Sequence, residues 1–103
     1  MKDVNTENFQ AEVEGAHGLV VIDLFATWCQ PCRMLAPVIE ELEGEYPEVN
    51  FCRVDVDASP DIAAQFGVRS IPTVAFVKDG TFLDFTVGVV PREKLAAMIE
   101  QYR

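Results

Sequence analysis

Apolar positions along the chain follow two periods, and the switches between them mark out the elements. Phe9, Val13 and Ala16 share one side of a helical spacing; Asn5 or Thr6 can cap that helix, Glu7 suits its first turn, and Gly15 and Gly18 end it. From Leu19 to Ala26 every position except Asp23 is apolar, as in a central strand buried on both faces. Leu35, Val38, Ile39, Leu42 and Tyr46 return to helical spacing behind Pro31, which suits a first turn; Pro37 lies inside this helix and should kink it. Val49 to Val56 reads as the next strand. Ser59-Pro60-Asp61 opens a short helix with a cap, a first-turn proline and an acid, and Gly67 stops it. Thr73–Val77 and Phe82–Val87 are strands joined at Asp79-Gly80, a strong hairpin turn. Leu95, Met98, Ile99 and Tyr102 give a last helix its inner face behind Pro91. The order helix, strand, helix, strand, helix, hairpin, helix implies an α/β fold, a mixed sheet with helices on both faces.

Composition narrows the class. The 103 residues fit one domain over residues 1–103, and the half that are hydrophobic argue against disorder. No apolar run approaches the roughly 18 residues of a membrane span. The start Met1-Lys2-Asp3-Val4-Asn5 lacks a charged-then-apolar leader pattern, so the chain is read as cytoplasmic. A net charge of −9 and eight basic residues that form no run argue against nucleic-acid binding. Three cysteines are too few for a disulfide framework, and a close pair in a reducing compartment points to catalysis or metal.

That pair is Cys29 and Cys32 in Trp28-Cys29-Gln30-Pro31-Cys32. Cys29 follows a buried strand and opens a helix, at the carboxyl end of the sheet where open α/β folds keep their chemistry. Unpaired N–H groups and the positive helix end favour a thiolate there. Cys32 lies one turn on, about 5 Å away between α-carbons, within disulfide reach. The expected result is one exposed attacking sulfur and one sheltered resolving sulfur. Zinc would need four ligands, and the remaining candidates, Cys52 in a strand and His17 in a loop, lack the spacing of a zinc site. Cys52 is read as core packing.

With these residues in view, the chain resembles the thioredoxin family over nearly its whole length. The likeness rests on Asp23 six residues before Cys29, the WCQPC segment, Pro37, Asp57 to Pro60, Arg69-Ser70-Ile71-Pro72-Thr73, the Asp79-Gly80 turn and Val87-Gly88. The resemblance implies the thioredoxin fold, a five-stranded sheet ordered 1-3-2-4-5 with its first three strands parallel, and a cis bond before Pro72 facing the cysteines; the chain departs from it in its first strand, which is short because only Met1 to Asn5 precede the first helix. It implies reduction of protein disulfides: the Cys29 thiolate attacks, Cys32 resolves, buried Asp23 takes the Cys32 proton, and a Cys29–Cys32 disulfide results. Gln30 and Pro31 would tune the potential, and Trp28, Ile71, Pro72 and Gly88 would bind substrate. Arg33 and Arg69 would add positive charge for docking partners. A flavin- and NADPH-dependent thioredoxin reductase would reset a monomer that itself carries no cofactor or metal. The rival readings are a secretory disulfide oxidase or isomerase and a non-catalytic binding module. The chain departs from the family pattern at Gln30 (usually glycine), Phe25 (often a second tryptophan), Val89-Val90-Pro91 (usually a capped helix entry) and Arg53 (often lysine). Arginine is expected to hold Asp23 ionised more firmly than lysine would.

Overall fold

A computed structural model describes residues 1–103. It has β1 Lys2–Asp3, β2 Leu19–Phe25, α1 Gln30–Glu45, β3 Asn50–Asp55, α2 Pro60–Gln65, β4 Thr73–Lys78, β5 Thr81–Val87 and α3 Arg92–Tyr102. The five strands form one sheet in the order β1-β3-β2-β4-β5. β3 pairs parallel with β1 and β2, while β4 runs antiparallel to β2 and β5. This is the expected order, with the first strand short as expected, here two residues. No helix is long and apolar enough to cross a membrane.

The unbroken apolar run of β2 is explained by a core on each side of it. Leu19 and Val21 face one core with Leu35, Ile39 and Leu42 of α1 and Leu95 and Ile99 of α3. Val20, Ile22 and Leu24 face the other, with Phe9, Val13, Cys52 and Ile62. Asp23 falls on the α1/α3 side by alternation and is buried. Arg92 ties α3 to α1 through ion pairs with Glu41 and Glu45.

Two local expectations need correction. The first helix is a single π-helical turn over Gln10–Glu14, in which the Gly15 N–H donates to the Gln10 carbonyl at 2.7 Å. Asn5 does accept from the Glu7 and Asn8 N–H groups, but this closes a separate turn, leaving few residues for a regular helix. Phe9 and Val13 still share a side, because residues four apart do so in either helix. Ser59 stands at the α2 cap position without making a side-chain cap bond. Pro37 lies inside α1 as expected, on the exposed side, where a carbonyl lacking its N–H partner can turn to solvent.

Candidate active site

β2 delivers the chain to Ala26, and α1 begins at Gln30, so Cys29 sits at the helix N-cap in extended conformation. Its Sγ accepts the Cys32 N–H at 3.2 Å, and the first helical turn contains no acidic residue to oppose a thiolate. Cys29 and Cys32 form a disulfide with α-carbons 5.3 Å apart, close to the spacing expected from one helical turn. Gln30 and Pro31 are both exposed on that turn.

The expected contrast in sulfur exposure is absent. Cys29 is 4 % and Cys32 3 % exposed, because both pack with Ala26 under Phe25, Val56 and Ile71. Their environments differ instead. Cys32, but not Cys29, lines a cavity of ≈ 210 Å³ shared with Asp23, Phe25, Arg33 and Arg53. The Asp23 Oδ1 has no hydrogen-bond partner. Burial pushes the Asp23 carboxyl up to about 6, and the nearby Arg53 charge offsets only part of that rise. Arg53 favours the ionised form, the direction expected, with a smaller effect than that of burial. Its guanidinium lies 4.7 Å from the centre of the Phe25 ring, and its Nε donates to Asp3 at 2.7 Å.

A second cleft, of ≈ 300 Å³, is lined by Trp28, Val56, Pro60, Ala63, Val68, Arg69, Ser70 and Ile71, of which Val56 and Ile71 also pack against the two cysteines. Trp28 is 66 % exposed, and its indole N–H donates to Asp57 at 2.7 Å, which fixes the ring as a wall. The Ile71–Pro72 bond is cis. The Ile71 N–H and carbonyl make no backbone hydrogen bond within the chain. Gly88 donates its N–H to the Pro72 carbonyl at 2.8 Å, bracing the proline turn from β5. Its φ of +84° requires glycine, and a β-carbon there would meet nothing within 4 Å.

The structure thus brings Cys29, Cys32 and Asp23 together, sets Trp28 and Ile71 on the adjoining cleft, and ties Pro72 to Gly88. Sequence reasoning missed two residues. Asp57, counted only in the family likeness, was not read as the Trp28 partner. Asp3, the Arg53 partner, is visible only once β1 and β3 are known to pair. Cys52 packs in the core as expected, with its thiol pushed up to about 12 by burial.

A mixed sheet that holds a Cys-x-x-Cys disulfide at a helix N-terminus, beside a cis-proline turn and above a buried carboxylate, defines a thiol–disulfide oxidoreductase. Comparison with known proteins narrows this class. The thioredoxin family model matches residues 1–101. A thioredoxin of Chlamydia muridarum is 44% identical over 100 residues, covering 97% of this chain and 96% of its own. A thioredoxin of Staphylococcus saprophyticus is 45% identical over 100 residues, covering 96% and 94%. A chain from a solved structure on the thiol resolving mechanism of a yeast mitochondrial 1-Cys peroxiredoxin via glutathione/thioredoxin systems superposes with a TM-score of 0.89. It is 33% identical and covers 98% of this chain and 94% of its own. The chain belongs to the thioredoxin family and acts as a dithiol–disulfide oxidoreductase and electron carrier.

Proposed function

We propose that Cys29 is the attacking sulfur and Cys32 the resolving one, and that the protein reduces disulfides of other proteins. The observation that carries this assignment is the division of environments: the Cys29 Sγ takes a helix N–H, while Cys32 shares a cavity with the unpartnered Asp23. The Cys29 thiolate attacks one sulfur of a substrate disulfide; the new S–S bond forms as the old one breaks, and one substrate thiolate leaves. The Cys32 thiol then gives its proton to Asp23, directly or through water in the cavity, and attacks the Cys29 Sγ. The second substrate thiolate leaves, and the dithiol's two electrons have passed to the substrate as Cys29–Cys32 closes.

Trp28 and Ile71 line the substrate groove, Pro72 shapes the Ile71 backbone for strand pairing, and Gly88 leaves open room for the substrate chain. Gln30 and Pro31, exposed between the sulfurs, tune the potential. The 103 residues act as one cytoplasmic, monomeric domain. Family membership implies a reductase partner, and we assign the NADPH-dependent flavoprotein thioredoxin reductase to that role. Neither nucleic acid nor membrane enters the cycle.

Reduction of insulin disulfides with dithiothreitol as donor tests the activity. The wild type should precipitate insulin chains rapidly and Cys29→Ser should do no better than dithiothreitol alone. Full activity in Cys29→Ser would refute the mechanism.

A further inference from the structure

Three strands place three charged residues in one row. Asp3 of β1 and Asp23 of β2 are each in register with Arg53 of β3, which lies between them. Neighbouring strands run about 4.8 Å apart, so a long arginine side chain has either carboxylate within reach. It is bonded to Asp3 alone: the Nε donates to the Asp3 Oδ1, and no ion pair joins Arg53 to Asp23. Solvation explains the choice. The Asp3 side chain is 83 % exposed and that of Arg53 42 %, so their pair leaves both charges wet, whereas pairing with Asp23 would draw the guanidinium into the cavity. The guanidinium also stacks on Phe25, 4.7 Å from the ring centre, while its Nε stays on Asp3.

We propose that Asp3 is a positioning residue for proton transfer: it anchors Arg53 at the sheet edge and so keeps a cation from closing on Asp23. This rests on the proposed role of Asp23 as proton acceptor, but its geometry stands apart from that role. An acceptor held as a salt bridge would give up its charge reluctantly and take the Cys32 proton less readily. Around Asp23, α1 contributes Cys32 and Arg33, β3 contributes Arg53, and the β4 residue in register is the apolar Val74. Cys52 lies on the opposite face of the sheet. Arg53 is thus the cation in register with Asp23, and Asp3 is the group bonded to it.

The test follows the Asp23 carboxyl by carbon NMR through a pH titration of the oxidised protein, in which Cys29 and Cys32 do not titrate. Asp3→Asn should move the Asp23 midpoint down by roughly half a pH unit, the size expected when a unit charge moves a few ångström closer at a surface-like dielectric. Arg53→Met should move it up. Asp3→Asn added to Arg53→Met should then change nothing. An equal downward shift in both backgrounds would show that Asp3 acts by its own field and would overturn the proposal, as would no shift in Asp3→Asn alone. The pH profile of mixed-disulfide resolution should follow the NMR midpoints. If the NMR shifts appear and that profile does not move, the anchoring of Arg53 stands and the base role of Asp23 fails.

Discussion

Asp23 shows how one polar residue in an apolar strand carries both a cost and a use. Burial lifts its carboxyl from 3.8 to about 6, so the folded state binds a proton more tightly than the unfolded chain does. The sign follows by linkage: the stabilising effect is fully present below about pH 4 and is lost as pH rises through 6, so at neutral pH burial of this charge works against the fold. Asp23→Asn, close in shape and uncharged, should raise stability at pH 7.5 by up to ~3 kcal/mol and by much less at pH 3.5. Urea unfolding at the two pH values measures this; an equal effect at both would show that charge burial is not the cause. In the proposed mechanism the same carboxyl also sets the rate. Resolution of a mixed disulfide by Cys32 should slow as pH falls through about 6, and Asp23→Asn should be slow at every pH with that inflection gone. Gln30, exposed beside Cys29, gives the thiolate no positive charge. Gln30→His should stabilise the reduced form and raise the potential, about 30 mV for each tenfold gain; equilibration with glutathione reads it, and an unchanged or lower value would contradict the argument. Asp23 was legible because it interrupts Leu19–Ala26, but the outer hold on Arg53 was not, since a strand pattern says nothing of which neighbour lies alongside.

At the scale of elements, local chemistry sets the hairpin that carries Gly88. Asp79 and Gly80 both have positive φ, of 50° and 81°, as a two-residue turn between twisted strands requires. The Asp79 carboxylate accepts the Gly18 N–H at 2.8 Å, which ties the turn to the start of β2. A β-carbon on Gly80 would come 3.0 Å from the Glu14 carbonyl, so Gly80→Ala adds a clash to backbone strain. It should cost about 1–2 kcal/mol in thermal or urea unfolding while leaving the potential of the distant cysteine pair unchanged. Loss of less than a few tenths of a kcal/mol would mean that the turn relaxes at little cost. This hairpin was readable from two residues because turn chemistry is local. The π-helical turn at Gln10–Glu14 was not, because Phe9 and Val13 fit either helix over so short a stretch. Strand order is the opposite case. The alternation of elements fixed a mixed sheet, but the sequence 1-3-2-4-5 came from family resemblance, since periodicity within a strand does not choose its neighbours.

Over the whole molecule, charge sorts partners. In a chain of net charge −9, Lys2, Arg53, Arg92 and Arg103 are taken up in ion pairs, while Arg33 and Arg69 have none and line the Cys32 cavity and the Trp28 cleft. Acidic segments should therefore reach the cysteines faster than their charge against this protein would suggest. Arg33→Gln with Arg69→Gln should slow attack on an acidic peptide disulfide several-fold at low salt, and the gap to wild type should shrink as salt rises; an effect independent of salt would point to shape instead. The central claim concerns the division of labour between two sulfurs that are equally buried in the disulfide. Exposure was the difference expected from sequence, yet Asp23 behind Cys32 and the helix N–H on Cys29 are what distinguish them. The most direct measurement is intact mass after each single variant, in its reduced form, meets a peptide disulfide. Cys32→Ser should accumulate a stable mixed disulfide through Cys29, since no second thiol is left to release it, and Cys29→Ser should form little adduct. Accumulation in Cys29→Ser, with Cys32→Ser remaining free, would reverse the two roles and contradict the mechanism.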